Sequence, residues 1–367
     1  MSADNVGLEG QELIRAAAEA GYTVSERTLE VLRSQGLVPR PGRDGNRGRR
    51  PVWRYPLGAE LQLISLLAWR ERTKNPNVLS VLLWLNGFTI APDAVRGAVT
   101  DWLTVTVQTL EHEVEAEAGR RDLDPVAQRG EVVTFIASGV AAKRGPSAVP
   151  RRVRVTAAER STAVEQMLRL FAFGETVEAT EQDAAVVEKV LGVSPGRRQR
   201  VNEAGPWLTG PALDLFDAAQ VVALPKMVET MAQATDAELE AARPFVAGMF
   251  RILPLIARMI GAVFGNNHAG MAGLGQLDDQ PDVAVMMVPM FVGMIRAGWQ
   301  ENLEEVVAAL GPIPELADSL KRILEMSSKE IAHNLQGQPA EVQRSAQLLI
   351  DAALEGRLDE SPRRLER

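Results

Sequence analysis

Apolar residues recur at helical spacing along most of the chain, with polar and glycine-bearing breaks between the runs. Near the start, Leu13, Ile14, Ala17 and Ala18 predict a short helix over Gln11–Ala20 that Gly21 stops. Ser25 then makes a good N-cap, Glu26 sits in a first turn, Leu29 and Leu32 share a face, and Gly36 is placed to end the run. A second helix is therefore expected from about Glu26 to Gln35, after a turn of about two residues. Leu37-Val38-Pro39 and a polar Gly/Arg stretch lead into Pro51-Val52-Trp53-Arg54-Tyr55, a small hairpin or wing. Leu57–Arg72 follows as an apolar helix with Leu61, Ile64, Leu67 and Ala68 inward. Asn75-Pro76-Asn77 breaks it, and Val78–Asn86 is the next helix, closed by Gly87.

Farther along, Val95, Val99, Trp102, Leu110 and Val114 predict one long helix over Asp93–Ala118, on the order of 39 Å at 1.5 Å per residue. The β-branched run Thr104-Val105-Thr106-Val107 is its least helical part. Gly119–Gly130 reads as a hinge. Glu131–Ala137 alternates weakly and, with Arg152–Thr156, predicts a second small β-hairpin around Gly145-Pro146. Capping boxes at Thr156-Ala157-Ala158-Glu159 and Thr235-Asp236-Ala237-Glu238 open helices. Others are expected over Glu181–Leu191 and Leu213–Leu224, the latter stopped by Pro225. Pro244 should break or kink the helix after Thr235. The fold class is thus mainly α.

Charge changes the picture at one place. Between Glu26 and Arg54 stand eight arginines against Glu26, Glu30 and Asp44, a local charge of +5, whereas the whole chain carries −8 and the remainder therefore −13. A basic island on an acidic protein is the footprint expected for phosphate-backbone binding.

Four pieces in this order resemble the MerR-type winged helix-turn-helix family: Val24-Ser25-Glu26-Arg27-Thr28-Leu29; Gly36-Leu37-Val38-Pro39; Trp53-Arg54-Tyr55 before a helix; and Gly87-Phe88-Thr89-Ile90 leading into Asp93-Ala94-Val95-Arg96. They span roughly residues 10 to 118. Glu30-Val31-Leu32 stands where the family carries an aromatic pair that contacts phosphate. The resemblance implies a transcription regulator that binds double-stranded DNA as a homodimer through its long helix. Arg27, Thr28 and Arg33 would lie on or near the recognition helix. Arg40, Arg43, Arg47, Arg49, Arg50 and Arg54, with Tyr55, would serve the wing. Packing of the long helix within its own chain is the alternative to pairing.

Residues 160 to 355 hold most of the methionines. Met249, Met259, Met286, Met290 and Met294, with Trp299, suit a core or a pocket for an apolar small-molecule effector. Gly261–Gly275 lacks the context of a phosphate loop and reads as a connection between buried helices. The absence of cysteine excludes disulfides and thiolate chemistry. His112, His268 and His333 fall in no catalytic spacing, so neither an enzyme nor a cofactor is expected. The stretch MSADNVGLEGQ lacks the basic start and apolar core of a signal peptide, so a cytoplasmic protein is expected, and since Phe245–Phe264 is interrupted by charge and proline and Val283–Ile295 is too short, no membrane span is expected. The organisation expected is a disordered tail at 1–9, a winged helix-turn-helix at 10–92, a connecting or dimerisation helix at 93–118, a helical effector or interaction region at 119–355 and a flexible tail at 356–367. A helical protein-interaction module that keeps the winged fold without reading DNA, or an apolar-ligand carrier, are the alternatives.

Overall fold

A computed structural model of the chain describes residues 7–47, 50–142, 155–174, 181–190, 223–264, 275, 277–310 and scattered positions between 333 and 351. Among these residues the protein is mainly helical, with a single two-stranded antiparallel sheet. The first helix, α1, spans Gly10–Glu19, and α2 spans Glu26–Ser34. Both end the same way. Gly36 takes φ +73°, its N–H donates to the Arg33 carbonyl at 3.0 Å, and the Leu37 N–H reaches back to Leu32 at 3.0 Å. Gly21 does likewise after α1, with Tyr22 donating to Ala17 at 2.9 Å. These paired bonds satisfy end carbonyls at a left-handed residue where a side chain would be strained. The link between the helices runs over 20–25 and is longer than expected, because the Gly21 turn is followed by backbone leading to the Ser25 cap rather than directly by α2.

Strands β1 (Gly42–Arg47) and β2 (Arg50–Arg54) form the hairpin, with Gly42 opposite Arg54 and Arg43 opposite Trp53. Helix α3 covers Ala59–Arg70, and α4 covers Pro76–Leu85 behind an Asn75 cap whose Oδ1 accepts from the Asn77 N–H at 2.9 Å. The inward face of α3 differs from the one expected. Ala59, Gln62, Leu63, Leu66 and Leu67 are buried, while Leu61 is 60% exposed and Ala68 is exposed. Buried Gln62 fixes that rotation by donating to the Leu37 carbonyl at 3.0 Å.

Helix α5 runs over Pro92–Arg121 and connects two cores. Its first half contributes Val95, Ala98, Val99 and Leu103 to the main one. Its second half contributes Val114 and Ala118 to a smaller cluster with Val132. That residue belongs to α6, Arg129–Ala142, so residues 131–137 are helical and no second hairpin forms there. Val132, Val133 and Ala137 are buried, and packing of α6 on α5 and on α7 (Ala157–Met167) outweighs the β-branched content that suggested a strand. The Thr156 capping box opens α7, which continues as a π-helical turn over Leu168–Ala172 and is followed by α8, Glu181–Val190.

Four further α-helices follow, α9 (Leu224–Ala232), α10 (Asp236–Phe264), α11 (Asp282–Arg296) and α12 (Gln300–Leu310), with a 3-10 turn at Leu277–Asp279 and scattered helical positions between 333 and 351. Pro225 sits in the first turn of α9 and therefore opens a helix, where proline's missing N–H costs nothing. Pro244 does not break α10, which continues through it and through Pro254. Helices α10 and α11 pack on each other and on α4, and α9 packs on α5. As a result most of α4 is buried: Val78, Leu79, Val81, Leu82, Leu83 and Trp84 are all in the main core. Polar contacts close the same seam. Trp84 Nε1 donates to Glu240 at 3.2 Å, Trp102 Nε1 to Asp282 at 3.2 Å, and Arg96 bonds the Ala234 carbonyl at 2.8 Å while pairing with Asp93 and Asp236.

At the start of α10, Glu238 accepts from Arg296 at 2.6 and 3.0 Å and from the Thr235 N–H at 2.7 Å. The Arg296 bonds foremost, with help from Thr235, hold its carboxyl at about 2, down from 4.5. A depressed carboxylate stabilises the fold above its unfolded pKa, and that stability is lost as pH falls from about 4.5 toward about 2. Glu238→Gln should accordingly flatten the acid limb of stability against pH, measured by urea unfolding at stepped pH. The basic run Arg151-Arg152-Val153-Arg154, the 213–222 part of the helix expected before Pro225, positions 265–274 with His268, and the tail at 356–367 lie outside the described residues.

Candidate nucleic-acid interface

The hairpin and α2 stand side by side, held by the chain that precedes α1. Leu8 bridges Tyr55, with the Tyr55 N–H donating to the Leu8 carbonyl at 2.8 Å. Tyr55 is therefore a core residue, only 5% exposed, and not a surface group for DNA. Arg54, also expected on the wing surface, is a clamp. Its Nε lies 2.9 Å from Asp44, an ion pair whose N–H is not aligned for a hydrogen bond, while Nη1 donates to the Gly7 carbonyl at 2.8 Å and Nη2 lies 3.9 Å from Glu9. The strand register explains the difference, since it sets Arg54 opposite Gly42, two residues from Asp44. Arg54→Ala should cost on the order of 1 kcal/mol in thermal unfolding, the half-exposed Asp44 partner keeping the value low.

On α2 the first turn is organised by its cap. Ser25 Oγ accepts from the Thr28 N–H at 3.1 Å and lies 2.9 Å from Thr28 Oγ1, so the Thr28 hydroxyl serves the cap. Arg27 is exposed and makes no hydrogen bond or ion pair among the described residues. Arg33 pairs with Glu30, which raises its pKa together with a weaker contribution from Tyr55. Glu26 accepts from Gln11. The two arginines of α2 thus face two glutamates, and the excess charge resides in the hairpin and the loop before it, where six arginines stand against Asp44.

Of those six, Arg40 is exposed and without a partner among the described residues, and Arg43 donates to Asn46 Oδ1 at 2.9 Å. Arg47 and Arg50 are register partners at the end of the hairpin next to its connection. Arg49 lies outside the described residues. Trp53 is 53% exposed and, with Glu26 and Glu30, lines a cleft of about 530 Å³ between α1, α2 and β2, to which Glu9 adds a third carboxylate. Sequence reasoning gave Glu9 and Asp44 no role. Their signal is weak, because only the folded register brings them to Arg54.

The residues considered for an apolar effector fall into two groups. Met249, Met290 and Met294 pack half-buried against the main core, as fillers do, whereas Met286 and Trp299 are exposed. Met259 lies in α10, its side chain outside the described set. His112 is exposed, 3.8 Å from Glu115. Among the described residues no cluster of His, Asp and Glu could hold a metal ion, and no helix is long and apolar enough to cross a membrane. No family model, curated protein or solved structure matches this chain.

Proposed function

We propose that the chain is a DNA-binding transcription regulator whose first 92 residues form a MerR-like winged helix-turn-helix, with the helical remainder serving a partner or effector. One observation carries this: six arginines lie between residues 40 and 54, beside an exposed and well-capped helix, on a chain of net charge −8. Phosphate contacts would come from the hairpin, with Arg27 entering the major groove from α2. Pairing into a cytoplasmic homodimer on twofold DNA would use the side of α5 where Val105 is 59% exposed, because α4, α9 and α6 occupy its apolar faces. The test is fluorescence anisotropy of the purified chain on its own upstream duplex and on a scrambled one, across salt concentrations. Steep salt dependence with preference for the upstream duplex is expected, log K falling by about 0.9 per log unit of salt for each phosphate neutralised.

Glu26 and Glu30 favour one alternative, a helical protein-interaction module in which α2 does not read bases. Salt-insensitive, weak binding to both duplexes would establish it.

A further inference from the structure

Between α3, α4 and α10 lies a cleft of about 420 Å³, within the range of roughly 300–1,000 Å³ typical of small-molecule sites. Trp69 and Phe250 form an aromatic wall, their ring centroids 6.3 Å apart and their planes at 44°, with Leu85 beside them. Among the described residues the charged groups lining the cleft are Arg72, Arg251 and Arg258. In a chain with 48 acidic and 40 basic residues, such a lining is not what composition alone would place there.

The three guanidinium groups are held differently. Arg72 lies 5.2 Å from the centre of the Trp69 ring, adding a cation to the aromatic wall. Arg258 donates to the Gly275 carbonyl at 3.1 Å. Arg251 is exposed and makes no hydrogen bond or ion pair among the described residues. Arg251 thus leaves an exposed cation at the rim, with which a bound anion can pair. A guanidinium offers a planar fork matched to a carboxylate, and the neighbouring rings offer an apolar face to a flat body.

We propose that this cleft binds a small aromatic anion, its ring system against Trp69 and Phe250 and its carboxylate on Arg251. The ligand would touch α3 and α4 on one side and α10 on the other, across the seam that joins the two parts of the chain. Its role as an effector rests on the DNA-binding proposal; its binding does not.

Isothermal titration calorimetry of the full chain with naphthalene-2-carboxylate, with benzoate and with 2-naphthylmethylammonium tests this. The naphthalene carboxylate should bind, with the ammonium of the same ring weaker by about tenfold or more. Arg251→Gln should weaken the carboxylate by about tenfold without changing thermal unfolding, and Arg251→Lys, which keeps the charge but loses the fork, should fall between that variant and the unaltered chain. Equal binding of carboxylate and ammonium, an unchanged Arg251→Gln, or no binding of either carboxylate would overturn the site. Carboxylate binding in a chain that fails to bind DNA would uphold the cleft while removing the regulator role.

Discussion

Replacing Arg43, Arg47 and Arg50 together by alanine is expected to weaken duplex binding on the order of a hundredfold, taking about 1 kcal/mol for each lost phosphate contact. The slope of log K against log salt should become shallower by about 2.7, three contacts at about 0.9 each. Both effects should be nearly the same on upstream and scrambled DNA, because phosphate contacts position the protein and carry no sequence information. Arg54 is deliberately left out of that set. It is held by Asp44, the Gly7 carbonyl and Glu9, so its loss acts on the fold and would confuse the measurement. Arg27→Ala is the complementary case: it should narrow the difference between the two duplexes more than it alters the salt slope. An unchanged slope in the triple variant would refute phosphate binding by the hairpin.

Trp84→Ala should cost about 3–5 kcal/mol in urea unfolding, the range for deleting a large buried aromatic. Trp84 is 1% exposed, its Nε1 donates to Glu240, and Arg243 lies 5.5 Å from its ring centre. The loss is a large part of the 5–15 kcal/mol that ordinarily separates folded from unfolded chains. Trp84→Phe, which retains most of the volume and gives up the donor, should cost clearly less. Near-equality of the two would place the weight on the Glu240 bond, and a cost below about 1 kcal/mol for alanine would show that α10 contributes little to covering α4.

Where a feature depends on chemistry within a few residues, it was legible in the sequence. The Ser25 cap, the Thr156 and Thr235 capping boxes and the Gly36 terminus are local, and the structure forms each of them. Features set by distant packing were not. Leu61 and Leu63 are chemically identical, and it takes the packing of α3 on α1 and α4, with the Gln62 bond to Leu37, to turn Leu63 inward. Val132 and Val133 suit a strand until α5 and α7 supply a surface for a helix. In the candidate interface the concentration of arginines was readable as charge. Which of them are already engaged was not, because the Arg54 partners come from β1 and from residues preceding α1. The arginine-lined cleft was likewise invisible, since Trp69 and Arg251 meet only when α10 folds back on α3 and α4.

Helix α4 is apolar but for Asn77 and Ser80, and part of its cover arrives late. Residues 76–85 leave the ribosome long before α11, which ends at Arg296. At roughly 5–20 residues per second, the intervening chain takes on the order of ten to forty seconds to synthesise. For that interval α3 and α5 can cover part of the helix, while the side that α10 and α11 will take stays open, a natural substrate for a holding chaperone. The same dependence means that the N-terminal segment is no interchangeable cassette: spliced onto a foreign partner, it would bring along the uncovered side of α4 and aggregate.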